Sequence, residues 1–147
     1  KKLEKFNQHR QKIANFYREE LKNASFILPS DSEQIYPVRK SYLSERQETS
    51  TFSNGVYLRF TIKHPNAHEI IKMAWKKNLL IGDWYDKVIA PHDTQLEKME
   101  YKIGSCPKAE KLTKETLNLP THINISEKDA QKIINFLRKY GNKRNTR

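Results

Sequence analysis

The densest cluster of chemistry-bearing side chains in this sequence is Asp83-Trp84-Tyr85-Asp86, which follows Gly82. Its carboxylates can accept hydrogen bonds from sugar hydroxyls or amines, and its two aromatic rings can line a ligand pocket. The same rings can instead plug the edge of a sheet, and the segment read alone leaves both roles open. Arg59 falls on the polar side of a strand pattern. It can meet a carboxylate or phosphate, or lie solvated, and it is left out of the candidate site. Cys106 stands beside an expected helix start, where a thiol becomes more acidic. No base is marked near it, so it reads as a small, partly buried residue at a cap rather than a nucleophile. His64 and His68 are four residues apart, but His64 precedes Pro65 and lies outside the following helix pattern; both read as surface histidines. His92 and His122 stand in loops near prolines. One cysteine and scattered histidines offer no zinc-ligand spacing, so no metal site is expected. Neither a Walker-type loop nor GxGxxG is present.

These residues need elements to place them. Leu3, Phe6, Ile13, Phe16, Tyr17 and Leu21 fall on one face of a long helix, with lysines, glutamates and Arg10 opposite. Such a helix either packs on a surface or links two domains. Turn residues Pro29 to Asp31 end that region. Ile35 to Leu43 reads as an edge strand with a proline near its start, and Glu45 to Gly55 as a polar loop. Val56 to Lys63 is the clearest strand. Val56, Leu58, Phe60 and Ile62 alternate with Tyr57, Arg59, Thr61 and Lys63, which predicts one buried and one wet or functional face. Asn66 and Glu69 have capping-box spacing before a helix whose apolar face is Ile70, Ile71, Ala74 and Trp75. Leu79 to Ile81 fits a short buried strand.

Ser105 before Pro107 predicts another helix start, with Ala109, Leu112 and Thr116 inward. Leu117 to Pro120 is a short extended piece. Ser126 and Asp129 open the last helix, striped by Ala130, Ile133, Ile134 and Leu137 and ended by Gly141. A helix packed on a small sheet follows from this order, and no internal repeat is visible.

Composition bounds the rest. A chain of 147 residues fits one domain. Its hydrophobic share of 36% and aromatic share of 10% argue against wholesale disorder. The net charge of +11 suits an anionic partner, but lysines occur along almost every segment with acids among them. That spread favours a solvated surface over a nucleic-acid site, although a free-standing basic module for RNA or another polyanion stays as the alternative. The single cysteine excludes an intrachain disulfide and fits a reducing compartment. No apolar run is long enough to span a membrane, and no signal peptide is visible. The chain opens on Lys1-Lys2-Leu3 within a helical pattern, as an excised fragment would.

The order of motifs then becomes recognisable. Cys106-Pro107-Lys108-Ala109-Glu110, Leu117-Asn118-Leu119-Pro120-Thr121-His122 and Ile125-Ser126-Glu127-Lys128-Asp129-Ala130 resemble the C-terminal end of the DegT/DnrJ/StrS family of pyridoxal-phosphate-dependent sugar aminotransferases. Gly82-Asp83-Trp84-Tyr85 followed by Pro91 resembles the family's small-domain segment that approaches the active site. Phe6-Asn7-x-x-Arg10 with Tyr17 resembles its domain-linking helix.

The resemblance implies an α/β architecture, the α+β small domain of a fold type I transferase. Its short, mainly antiparallel sheet would be covered by helices and preceded by a long helix. Residues 1–24 would be the linking helix, 25–141 the small domain and 142–147 a basic tail. The resemblance also implies a cytoplasmic homodimer that moves an amino group from glutamate to a nucleotide-linked keto-sugar. Pyridoxal phosphate and the Schiff-base lysine would sit in a large N-terminal domain beyond this chain, so no catalytic residue is assigned here. Asp83, Trp84 and Tyr85 are the expected lining of the sugar-nucleotide end. Family members often carry histidine or small residues around Asp83 and Trp84, and residues 45–53 follow the family pattern only loosely.

Overall fold

The computed structural model describes residues 1–29, 56–91 and 93–141. The expected strand Ile35–Leu43, the loop Glu45–Gly55, His92 and the basic tail 142–147 lie outside them. Among the described residues the elements run α1 (Lys2–Leu21), β1 (Arg59–Lys63), α2 (Ala67–Trp75), a 3-10 turn (Leu96–Met99), α3 (Pro107–Glu115), β2 (Thr116–Pro120) and α4 (Glu127–Gly141).

Helix α1 forms because its apolar residues recur at helical spacing and its end charges, Glu4 early and Arg18 late, complement the helix dipole. It buries Ile13, Ala14, Tyr17 and Leu21. Helix α4 begins with the expected box. Ser126 Oγ accepts the Asp129 backbone N–H at 3.1 Å and donates to Asp129 Oδ2 at 2.6 Å. These bonds, with Lys132 alongside, hold the Asp129 carboxyl below the usual carboxylate range. Ala130, Ile133, Ile134 and Leu137 of α4 are fully buried or nearly so. The helices α1 and α4 pack together, and Arg138 bridges to Glu20 at 2.9 Å. Packing carries that contact, because exposed ion pairs contribute little.

Strands β1 and β2 pair antiparallel, Phe60 opposite Leu119 and Ile62 opposite Leu117. Isolated bridges widen the ladder on both sides. Ile27 pairs with Lys63, and Gly82 with Asn118. The sheet is thus short and antiparallel, as expected. Its inner face, Phe60, Ile62, Leu117 and Leu119, is wholly buried in one core with the apolar stripes of α1, α2 and α4. Tyr17 crosses that core. Its ring lies 5.9 Å from Phe60, and its hydroxyl donates to the Pro120 carbonyl at 3.2 Å. Burial pushes the Tyr17 phenol well above its ordinary value, with the Asp129 charge adding to the effect.

Several local expectations are corrected. The alternation of β1 holds only from Arg59 onward; Val56 and Leu58 are 42% and 68% exposed because the strand ladder has not yet begun there. Leu79 to Ile81 forms no strand; Ile81 is buried and Leu80 exposed, and pairing is confined to the bridge at Gly82. Asn66 precedes α2 without a side-chain cap, and its own backbone N–H donates to His64 Nδ1 at 3.0 Å. His64 is therefore not a surface residue. It is buried, with its ring 5.0 Å from Phe26. Cys106, not Ser105, precedes the first turn of α3, and it is exposed. Trp75 is half exposed, yet its indole N–H donates to the Ile81 carbonyl at 2.7 Å.

Candidate functional site

Pairing of Gly82 with Asn118 brings the Asp83–Asp86 segment to the edge of the sheet. A Cβ on Gly82 would sit only 3.0 Å from Trp84 Cδ1, so the absent side chain lets the indole lie back over the ladder. There Trp84 meets Arg59, whose guanidinium stacks 3.5 Å from the ring centroid. A cation on an aromatic face at this range adds about 0.5–1 kcal/mol at an exposed site. Arg59 is the residue that pattern reading weighed and set aside. The signal available was its place on the outward side of the alternating strand; its partner Trp84, distant in sequence, was not readable.

The candidate residues do not converge on one point. Asp83 and Trp84 line a cleft of about 460 Å³ with Asp86, Lys87 and Pro91. Tyr85 turns the other way, into a groove of about 540 Å³ between the outer face of β1 and α3. Arg59, Thr61, Lys63 and Lys87 give that groove its polar wall, and Ile27, Val88, Ala109 and Leu112 its apolar one. Ala109 and Leu112 thus face a groove and not a core, and Leu112 stays 45% exposed. Arg59 and Trp84 also border a third cleft of about 350 Å³ that reaches Arg10, Asn118 and His122. Arg59 is the wall common to the groove and this cleft.

The charge is one-sided. Among the described residues no carboxylate lines the groove or the third cleft, and no ion pair uses Arg59, Lys63 or Lys87. Asn118 lies beneath this cationic surface, 2% exposed. Its Oδ1 accepts the Thr61 hydroxyl at 2.8 Å, while its Nδ2 has no partner. An enclosed donor left unpaired costs about 1–3 kcal/mol, so its retention calls for a reason.

The loop below the groove is held by one carboxylate. Glu110 Oε1 accepts the Tyr101 hydroxyl at 2.8 Å and the Gly104 N–H at 2.6 Å. These bonds hold Glu110 below the usual carboxylate range. Tyr101 is raised by desolvation first and by its bond to Glu110 second. Gly104 takes φ +94, a left-handed conformation that suits glycine. His68 meets the Thr113 carbonyl at 2.9 Å, and this ties α2 to α3. Among the described residues no group of His, Cys, Asp and Glu gathers as a metal site. No described helix is long and apolar enough to cross a membrane.

Comparison with known proteins now decides the family. The model of the DegT/DnrJ/EryC1/StrS aminotransferase family matches residues 1–138. The chain belongs to this aminotransferase family. Solved structures share its fold. A DegT DnrJ EryC1 StrS aminotransferase from Brucella abortus is 24% identical, with a TM-score of 0.66, over 96% of this chain and 32% of its own. DesV of S. venezuelae, in complex with a ketimine intermediate, is 19% identical at a TM-score of 0.71, over 97% of this chain and 34% of its own. A protein described as a sugar aminotransferase, Spr1654 of Streptococcus pneumoniae, in its PLP form, is 16% identical at a TM-score of 0.65, over 93% and 31%. The chain spans about a third of the length of these structures. No curated protein matches it.

Proposed function

We propose that this chain is the C-terminal part of a pyridoxal-phosphate-dependent aminotransferase that moves an amino group from glutamate to a nucleotide-linked keto-sugar. The family match over residues 1–138 carries the reading. Within it, α1 is the link to a large domain, and the sheet with its outer loops is the small domain that closes one side of the substrate. Asp83, Trp84 and Tyr85 form the wall nearest the sugar nucleotide, and Arg59 holds Trp84 in place. A one-sided cationic groove suits an anionic substrate. The full protein works as a cytoplasmic homodimer.

Pyridoxal phosphate supplies the electron sink for transamination when bound. The described residues do not by themselves fit that group. A Schiff-base lysine needs an enclosed pocket, and no described lysine is buried; Lys63 and Lys87 are half-buried and the others exposed. In this reading the cofactor lysine and phosphate site belong to the large domain.

The test uses the intact protein, glutamate and a panel of nucleotide-linked keto-sugars. 2-Oxoglutarate should form with one of them. Borohydride reduction followed by peptide mapping should place the cofactor on a lysine outside residues 1–147. A reduced cofactor adduct on any lysine within them, or no 2-oxoglutarate with any of the panel, overturns the proposal. The polyanion-binding alternative rests on net charge and on aromatics such as Tyr57, and retention on a mixed nucleic-acid matrix that falls steeply with salt is its signature.

A further inference from the structure

We propose that the cleft between α1 and the Gly82 edge of the sheet binds a small carboxylate on an apolar skeleton, with Asn118 and Arg59 as its donors. Four observations meet there. The first is the unpartnered Asn118 Nδ2 on a side chain only 2% exposed. Every other polar atom of Asn118 is used: its backbone N–H and carbonyl pair with Gly82 at 2.9 Å, and Oδ1 accepts from Thr61. The second is the orientation of Arg59. Stacking on Trp84 engages the guanidinium face and leaves its in-plane N–H fork for a carboxylate, the geometry that fork matches best.

The third is charge. Arg10 stands at the rim, and among the described residues no acid lines the cleft to compete. The fourth is shape. A volume of about 350 Å³ holds a small organic acid, and Leu58, Leu80 and Pro120 offer its carbon skeleton apolar walls. A phosphate would bring a second charge and more oxygens against those same leucines, which favours the carboxylate. Trp84 is 61% exposed and lies over Gly82, beside Asn118 in the ladder. This inference stands on the geometry of the domain and does not depend on the catalytic reading above.

The intact, isotope-labelled protein is titrated with isovalerate, with the neutral isostere isovaleramide and with inorganic phosphate, while the Asn118 side-chain amide signals are followed by NMR. Isovalerate should shift those signals saturably, and the other two should not. Asn118→Asp, nearly isosteric, removes the donor and adds a like charge; Arg59→Gln removes the fork from an outward strand position. Each should weaken isovalerate binding at least about tenfold, the range for one charge-assisted hydrogen bond. If Asn118→Asp does not fold, Arg59→Gln carries the test. Unmoved Asn118 signals with isovalerate, an equal response to isovaleramide or phosphate, or wild-type affinity in the folded variants overturns the proposal.

Discussion

Phe60 and Arg59 are adjacent in one five-residue strand and face opposite worlds. Phe60 is fully buried between Tyr17 and Tyr57. Arg59 borders two cavities and rests on a single exposed tryptophan. The same division runs along the strand, with Ile62 inward and Thr61 and Lys63 outward. The inner face is shared by three helices, and the few polar side chains buried there are satisfied: the Tyr17 hydroxyl by the Pro120 carbonyl, His64 by the Asn66 N–H and Thr121 by the Tyr57 carbonyl. The outer face is cationic, grooved, and includes an unpaired amide. The core therefore lies on one side of the sheet and the proposed binding surface on the other, so the two can be changed separately.

The sharpest way to break that separation is a pair of substitutions one residue apart. Phe60→Ala should cost about 3–5 kcal/mol, the range for a buried aromatic replaced by alanine. Arg59→Ala should cost about 1 kcal/mol or less, since it loses only an exposed cation–aromatic contact. Chemical denaturation of the intact protein measures both. Comparable losses from the two variants would show that the outer face is part of the core after all.

The inner face was legible because burial obeys periodicity. Ile13 and Tyr17 on α1, Phe60 and Ile62 on β1 and Ile133, Ile134 and Leu137 on α4 are all read correctly from spacing of 3.6 or 2. The Ser126–Asp129 start of α4 was equally readable, because a capping box is a contact within four residues. The outer face was not. The Arg59–Trp84 stack, the Thr61–Asn118 hydrogen bond and the burial of His64 against Phe26 join residues far apart in the chain. No local pattern encodes them. Asn118 shows the difficulty most clearly: as sequence it is a polar residue in a short extended run, and only the ladder to Gly82 and β1 reveals that its amide is enclosed.

Tyr17 allows a second, smaller test, confined to the inner side. Burial raises its phenol above the ordinary value of 10.0. The unfolded chain releases that proton first as pH climbs, so the stability Tyr17 contributes is whole below pH 10 and declines above it. The decline approaches about 1.4 kcal/mol per pH unit for one group. Tyr17→Phe should remove this part of the alkaline slope. At neutral pH it should cost about 0.5–1.5 kcal/mol, because the Pro120 carbonyl loses its donor. An unchanged alkaline slope in the variant would mean that the hydroxyl is not enclosed by the core.

The smallest effect belongs to the outer side, where Glu110 fastens Tyr101 and Gly104 at the foot of the groove. Its carboxyl is held below the usual range by those two donors. The contact is therefore intact above the ordinary carboxylate value, near 4.3, and is lost as pH falls through the lower folded value. The Gly104 amide resonance should report that titration with a midpoint below the ordinary one. In Glu110→Gln the resonance should stop titrating, while the global unfolding midpoint at neutral pH barely moves. A midpoint at or above the ordinary value would show that the loop is not tied by this carboxylate. A large loss of global stability would instead tie the loop to the core, and the division between the two faces of the sheet would then fail at its outer edge.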